Sequence, residues 1–157
     1  NLKIISGGQT GVDRAALDAA LEADVEVGGY CPAGREAEDG TIPQEYPLTE
    51  VDGGYPERTR RNVEAADATL VIYAGQLKGG TAETVTICLQ LEKPLKLIDT
   101  SLVSAVVAVQ AIDDFVRENQ VKVLNVAGPR ASSNPALYEY CNQILSMYFE
   151  ELKVARA

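Results

Sequence analysis

Three short segments of the sequence combine glycines with hydroxyl, amide or charged side chains, a mixture suited to binding phosphate and other oxyanions. They are residues 6–14 (SGGQTGVDR), 75–84 (GQLKGGTAET) and 128–133 (GPRASS). Glycine lets the backbone turn sharply and approach a ligand closely. A helix that begins there points free N–H groups and its positive dipole end at an anion. The spacing is neither G-x-G-x-x-G nor G-x-x-x-x-G-K-[ST], and a plain strand-to-helix turn is the alternative interpretation.

Arginine side chains are the second feature of the sequence that could bind an anion. A helix N-terminus contributes only about 0.3–1 kcal/mol to anion binding, whereas micromolar affinity needs about 8 kcal/mol. Guanidinium groups match oxyanions in a two-point geometry, so we expect Arg35, Arg58 and Arg130 to supply much of the difference. Within the run 58–61, a solvated helix face is the alternative for at least one arginine.

Acidic side chains gather between the first two of these regions. Glu36, Glu38 and Asp39 fall in a segment rich in proline and glycine. Such carboxylates could bind a cation or a ligand amine, or act as an acid or base. Exposed carboxylates without a chemical role are the alternative interpretation.

Composition excludes several classes of function. The 157 residues carry 23 acidic and 14 basic side chains, a net charge of −9, which would repel a nucleic-acid backbone. Histidine is absent, so histidine-based triads and metal sites are excluded. The three cysteines, Cys31, Cys88 and Cys141, are widely spaced without a C-x-x-C, which favours a reducing cytoplasm over a disulfide framework. No metal site has recognisable ligand spacing, and no apolar run is long enough to cross a membrane.

The elements that must position these residues alternate along the chain. Apolar, β-type runs are predicted at residues 2–6, about 24–28, 69–74, 94–99 and 121–127, with helical periodicity between them. A thin alanine face predicts a helix after Val12 that can lie close on a sheet, and residues 101–118 and 137–152 predict two further helices. Ser133 and Pro135 suggest the start of the last helix. Continuous apolar strands separated by helices indicate an α/β fold, a parallel sheet covered on both faces, in one domain spanning 1–157.

Residues 30–55 interrupt this alternation of strands and helices. They are rich in proline and glycine and show no period. A long irregular segment in a compact domain is commonly a functional loop, and we expect this one to close over a ligand. Because ligands bind beyond the carboxyl ends of parallel strands, we expect all the segments above to meet at one edge of the sheet.

The longest motifs resemble the putative molybdenum carrier family. The resemblance is carried by residues 6–20 (SGGQTGVDRAALDAA), 32–43 (PAGREAEDGTIP) and 46–50 (YPLTE), and it continues through Arg58-Thr59, Asn62-Val63, 67–70, 79–81 and 124–130 (LNVAGPR). It implies a Rossmann-like three-layer sandwich, related to the Lonely-Guy and DNA-processing proteins, and a homo-oligomer. It also implies that the chain binds nucleotides or similar phosphates, with the molybdenum cofactor, a phosphorylated pterin, as the candidate.

The Lonely-Guy phosphoribohydrolases carry a loop PGGxGTxxE whose glutamate is catalytic. Here Gly80-Thr81 matches the GT pair, but Thr84 stands where the glutamate is expected, and Glu83 is one position early, about 100° around a helix. This departure argues against N-glycosidic hydrolysis and favours a protein that is not an enzyme.

The sequence thus predicts a cytoplasmic binding or carrier protein for a small phosphorylated ligand. A nucleoside-monophosphate N-glycosidase and a nucleotide-sensing regulator are the alternatives. The predicted contacts are Gly7, Gly8, Gln9, Thr10, Gly11, Asp13, Arg14, Arg35, Glu38, Asp39, Arg58, Asn62, Gly79, Gly80, Thr81 and Arg130.

Overall fold

The computed structural model describes residues 1–156, which form nine strands and five helices. In chain order these are β1 (Lys3–Ile5), α1 (Val12–Glu22), β2 (Glu26–Gly28), β3 (Tyr30–Pro32), β4 (Glu36–Ala37), β5 (Gly40–Thr41), β6 (Thr49–Val51), α2 (Gly54–Ala65), β7 (Ala68–Tyr73), α3 (Gly79–Gln90), β8 (Leu95–Asp99), α4 (Ala105–Glu118), β9 (Val123–Ala127) and α5 (Leu137–Arg156).

A five-stranded parallel sheet forms the centre, in the order β2-β1-β9-β7-β8. The register places Ile4 beside Val27 and Leu124, and Leu70 beside Lys96 and Val126. These are the five predicted strands. The chain leaves β1 toward one edge of the sheet and leaves β7 toward the other, with β9 between them. This reversal creates a crevice above the carboxyl ends of β1, β9 and β7.

Helices cover both faces of the sheet, which confirms the three-layer prediction. Leu70 and Ile72 of β7 pack into the main core with α1, α4 and α5. The alternate residues of β7 face the other way, where Thr69 lies beside Cys88 of α3. A smaller cluster of Val63, Ile87 and Cys88 joins α2 and α3 on that face.

Alanines make up four of the seven buried residues of helix α1, so its backbone can be approached closely by a neighbouring helix. The Cys141 thiol of α5 is 3.8 Å from the carbonyl oxygen of Val12, and the Asn142 amide is 3.5 Å from that of Ala15. Larger side chains on α1 would prevent these approaches, so the thin face predicted for this helix fixes how α1 and α5 pack.

Helix α4 begins later than the sequence indicates, whereas α5 begins at the first residue of its predicted apolar face. Helix α4 starts at Ala105, where the Ser104 hydroxyl accepts a hydrogen bond from the N–H of Val107 at 3.3 Å. Helix α5 starts at Leu137, so Pro135 lies in the preceding turn rather than in the first helical turn.

Residues 30–53 are more regular than the sequence suggests. Strands β3 and β6 pair in parallel, and β4 and β5 form a small antiparallel hairpin. The segment has its own core, in which Cys31, Ala37, Ile42 and Tyr46 pack against Leu17 of α1. It is therefore an ordered subdomain fastened to α1.

No helix within residues 1–156 is both long and apolar enough to span a membrane.

Candidate functional site

A cavity of about 650 Å³ opens above the carboxyl ends of β1, β9 and β7. This is the edge at which the sequence predicts the glycine-rich segments to meet. Its walls are the β1–α1 loop, the start of α2, the β7–α3 loop with the start of α3, and the β9–α5 loop. The residues that line it include Gly7, Gln9, Asp13, Tyr55, Arg58, Asn62, Gln76, Lys78, Gly79, Gly80, Thr81, Glu83, Thr84, Asn125, Gly128, Pro129, Arg130 and Asn134.

The β1–α1 loop satisfies most of its N–H groups internally. Gly8 donates to the Ser6 hydroxyl at 3.3 Å, Gln9 donates to the Asp13 carboxylate at 3.4 Å, and Thr10 donates to the Gln9 side-chain oxygen at 3.0 Å. A carboxylate thus occupies the position that the sequence predicts for a ligand phosphate. These three N–H groups are engaged by the loop itself.

Gly11 brings this loop against the β9–α5 loop. A Cβ at Gly11 would lie 2.4 Å from the carbonyl oxygen of Pro129, and its φ of 81° is one that other residues rarely adopt. The Val12 N–H donates to the same Pro129 oxygen at 3.2 Å, and the Ala131 N–H donates to the Thr10 hydroxyl at 3.1 Å. Gly11 therefore joins two loops instead of facing a ligand.

Arg58 and Asp13 form an ion pair in the cavity wall. Nη1 of Arg58 is 2.9 Å from Oδ2 of Asp13, and the two side chains are only 13% and 6% exposed. The guanidinium lies directly on the backbone of Gly7, where a Cβ would be 1.5 Å from Nη1. The Tyr55 ring covers Arg58 at 5.3 Å. Glycine at position 7 is thus required by the arginine.

Burial and the neighbouring arginine have opposite effects on the pKa of Asp13. Burial raises the pKa of Asp13, and the charge and hydrogen bond of Arg58 oppose that rise. Nε of Arg58 is buried, and no described residue accepts its hydrogen bond. A buried donor without an acceptor costs about 1–3 kcal/mol, so the native chain retains Arg58 at this position against a stability cost.

The N-terminus of α3 is the open anion cradle of the site. The cap residue Lys78 supplies no side-chain cap, and the first turn of the helix has no acidic residue. Thr81 and Ala82 donate their N–H groups to the Lys78 carbonyl, and no described residue accepts those of Gly79 and Gly80. A Cβ at either glycine would meet nothing within 4 Å. Both glycines line the cavity.

Arg130 stands at the mouth of the cavity with its side chain 55% exposed. Its Nε is 3.6 Å from the Glu38 carboxylate. An exposed arginine held by one long ion pair can turn toward an incoming anion at little cost.

Glu38 connects three loops rather than lining the cavity. Its carboxylate accepts hydrogen bonds from the Thr10 hydroxyl and from the N–H and hydroxyl of Ser132, the last two at 3.1 and 2.6 Å. Its own N–H donates to the Gln9 side-chain oxygen at 2.9 Å. These bonds, with the Ser132 hydroxyl contributing most, lower the pKa of Glu38.

Arg14 and Asp39 also fasten the 30–53 segment. The two side chains form a two-point ion pair at 3.1 and 3.3 Å, and Nε of Arg14 donates to the Gly8 carbonyl at 3.1 Å. The hydrogen bond from Arg14 lowers the pKa of Asp39. Neither side chain lines the cavity.

Arg35 lies inside the 30–53 segment, away from the cavity. Its guanidinium donates to the carbonyl oxygens of Ile42, Pro43, Tyr46 and Leu48 at 2.7–3.4 Å, and the residue is 7% exposed. These bonds use the guanidinium to close a loop, which differs from the ligand contact that the sequence predicts.

Asn62 borders the cavity, but its side-chain amide is already hydrogen-bonded within the protein. It accepts from the N–H of Tyr30 and donates to the carbonyl of Tyr30, both at 2.9 Å. The pair joins α2 to β3.

Of the long segment 30–55, Tyr55 lines the cavity, whereas none of residues 30–53 does. Pro56, the next residue along the chain, lines it as well. Closure of this segment over a ligand stays a prediction.

Sequence reasoning missed several lining residues. Lys78 and Gln76 follow a predicted strand and could have been found from that position alone. Asn125 is a polar residue inside a buried strand, which is itself a signal, and its amide bonds Thr69 at 3.3 Å. Glu83, which stands one position before the place of the hydrolase glutamate, borders the cavity together with Thr84.

The described residues offer the cavity no thiol. Cys31, Cys88 and Cys141 are free and buried elsewhere, and burial raises the pKa of each. No group of three or more acidic or cysteine side chains in residues 1–156 could hold a metal ion.

The chain is similar to two solved structures and to one family model. A crystal structure of a putative molybdenum carrier protein from Syntrophus aciditrophicus SB is 43% identical, with a TM-score of 0.91 over 93% of each chain. A structure of (E)-4-hydroxy-3-methyl-but-2-enyl diphosphate reductase is 13% identical, with a TM-score of 0.40 over 93% of this chain and 59% of that one. No curated protein matches the sequence. The model of the circularly permuted YpsA SLOG family matches residues 4–149, so the chain belongs to that family.

Proposed function

We propose that residues 1–157 form one binding domain for a small phosphorylated, nucleotide-like ligand, held at the N-terminus of α3. The observation that carries this proposal is the pair of N–H groups at Gly79 and Gly80 that no described residue accepts, in two residues that line a cavity of about 650 Å³. Anions are stabilised at such helix ends. A ligand phosphate would accept these hydrogen bonds, with the Thr81 hydroxyl beside them.

Charge supports the same assignment. The chain carries a net charge of −9, yet Arg58, Lys78 and Arg130 all border this cavity. The N-terminus of α3 contributes at most about 2 kcal/mol to phosphate binding. Lys78 and Arg130 would supply charge-assisted hydrogen bonds, which are about twice as strong as neutral ones.

The molybdenum cofactor is our candidate ligand, because the 43% identical protein is named a putative molybdenum carrier. The cavity residues suit the anionic end of such a cofactor: Gly79, Gly80 and Lys78 would hold its phosphate. The cofactor, when bound, supplies its own sulfur ligands for the metal. The described residues offer no thiol or metal-binding cluster here, so any metal would be held by the cofactor.

A cytoplasmic protein and a homo-oligomer complete the proposal. Three free, buried thiols suit a reducing compartment. A sedimentation mass equal to that of one chain would contradict the oligomer.

Nucleoside-monophosphate hydrolysis at the glycosidic bond is a second candidate, favoured by the position of Glu83 on the cavity wall. A carboxylate near the bound sugar could act as an acid or base. This candidate predicts release of free base from AMP or a related nucleotide, which Glu83→Gln abolishes. Absence of base release from all common nucleotides would remove it.

Native mass spectrometry of freshly purified protein, with elemental analysis for molybdenum and phosphorus, tests the main proposal. We expect a retained phosphorylated ligand, and a pterin with metal would identify it as the cofactor. If the protein is empty, titration with AMP, GMP and a pterin phosphate follows. No binding of any phosphorylated compound would contradict the proposal, and tight nucleotide binding without catalysis would favour a nucleotide-sensing regulator.

A further inference from the structure

We infer that Arg58 forms a second oxyanion subsite in the cavity, separate from the N-terminus of α3. This inference deepens the proposed function and rests on it. The cavity would hold two oxyanion groups, one at each end, whether they belong to one ligand or to two. The subsite would take a tetrahedral oxyanion, which is either a second acidic group of the phosphorylated ligand or a free oxyanion such as molybdate.

One edge of the Arg58 guanidinium has no hydrogen-bond partner among the described residues, and its Nε atom is buried. Nη1 is bonded to Asp13 at 2.9 Å, and no described residue accepts a hydrogen bond from Nε or Nη2. The Nε–Nη2 edge is the fork that binds two oxygens of one oxyanion. Buried polar groups normally have partners, so the unpartnered Nε points to a ligand atom that completes the site.

The surroundings hold this fork in place. Gly7 lets the guanidinium lie flat on the backbone, and any larger residue there would collide with Nη1, Cζ and Cδ. The Tyr55 ring lies 5.3 Å from Cζ. Asp13 fixes Nη1 and is itself held by the N–H of Gln9. An arginine fixed on three sides loses little conformational entropy on binding, which is the advantage of a preorganised site.

Asp13 also bears on which ligands fit. Its carboxylate offsets part of the charge of Arg58, so an anion held by charge alone gains little here. Directional hydrogen bonds to the planar fork must supply the affinity, and tetrahedral oxyanions accept them with two oxygens at once. A lysine in place of Arg58 would keep the charge and lose the fork.

The two ends of the cavity are too far apart for one phosphate. Arg58 lies on Gly7, immediately after β1, whereas α3 follows β7. Strand β9 lies between them, so the two ends are separated by two strand spacings, about 10 Å. A single tetrahedral group cannot contact both.

Tungstate is a suitable probe because it is tetrahedral and scatters X-rays anomalously. We expect crystals of the wild-type chain soaked in tungstate to show two sites, one against Arg58 and one at Gly79-Gly80. Arg58→Lys should reduce occupancy of the first site at least fivefold and leave the second unchanged. Lys78→Ala should reduce occupancy of the second site and leave the first unchanged. Arg61→Lys is the matched control, because Arg61 lies on the same helix, packs on Tyr30 and does not line the cavity.

The outcomes separate this inference from the proposed function. A single site at α3, insensitive to Arg58→Lys, would overturn the second subsite and leave the proposed function standing. A single site at Arg58 would support the subsite and contradict the α3 cradle. No site at either end would contradict both. If Arg58→Lys fails to fold, Gly7→Ala displaces the guanidinium while keeping every charge, and loss of the first site is again expected.

Competition with AMP distinguishes the two sources of the oxyanion. If AMP displaces tungstate from α3 alone, the Arg58 subsite takes a free oxyanion or a second acidic group that AMP lacks. If AMP displaces tungstate from Arg58 alone, the phosphate binds there and the α3 assignment is overturned. Displacement from both sites by one AMP would contradict the existence of two separate subsites.

Discussion

Glu38 and Ser132 are 94 positions apart in the sequence, and they are joined by two hydrogen bonds at 3.1 and 2.6 Å. The Glu38 carboxylate also accepts from the Thr10 hydroxyl. One side chain therefore fixes the 30–53 segment, the β1–α1 loop and the β9–α5 loop relative to one another. The walls of the cavity depend on this junction.

We expect Glu38→Gln to reduce the free energy of unfolding by about 1–2 kcal/mol at neutral pH, because hydrogen bonds to a charged acceptor are lost. The folded state lowers the pKa of Glu38 below its ordinary 4.5. Its contribution to stability is therefore fully present above pH 4.5 and is lost as the pH falls through the lower folded value. Urea unfolding at several pH values measures this, and the variant should lack that part of the pH dependence. The control is Glu36→Gln on the neighbouring exposed residue, and an equal effect there would contradict the role of Glu38.

Arg35→Met should destabilise the fold strongly. Four carbonyl oxygens lose their charged donor, and at about 1.5–3 kcal/mol for a hydrogen bond to a charged group, we expect a loss above about 3 kcal/mol. Chemical denaturation measures it. Arg60→Met is the matched control, because Arg60 is exposed and makes only a 3.9 Å ion pair with Glu64. A stable Arg35→Met protein with weakened ligand binding would instead make Arg35 a ligand contact.

Gly80→Ala should separate stability from binding. A Cβ at position 80 meets nothing within 4 Å, and alanine in a helix is favoured over glycine by about 0.5–1 kcal/mol. The melting temperature should therefore rise slightly. Affinity for AMP should fall at least tenfold, because the added methyl group stands where the phosphate approaches the backbone. Unchanged affinity measured by calorimetry would show that no anion comes close to this N–H.

Arg130→Ala should weaken AMP binding well over tenfold, which corresponds to more than 1.4 kcal/mol. The side chain is half exposed and its ion pair with Glu38 is long, so the melting temperature should hardly change. Calorimetry measures the affinity for AMP, and thermal unfolding of the same sample measures the melting temperature. A variant that unfolds would show that Arg130 is structural.

The sequence by itself determined the layers of the fold. Apolar runs such as 69–74 and alanine spacing after Val12 are local properties, and burial of these side chains dictates a covered parallel sheet. The strand order was not predicted, since it depends on pairing between distant segments, whereas the carboxyl edge was predictable because every glycine-rich segment comes directly after a strand. The motifs at residues 6–20 and 32–43 predicted the family.

Only the tertiary structure decided which polar side chains serve the site and which serve the fold. Arg35 and Arg58 are the same residue type in similarly polar surroundings of the sequence. Arg35 is enclosed by four carbonyl oxygens of its own segment, whereas Arg58 rests on Gly7 at the cavity wall. The partners that distinguish them are 7 to 51 positions away along the chain. Hydrogen-bond partners at such separations are set by packing, which local sequence patterns do not encode.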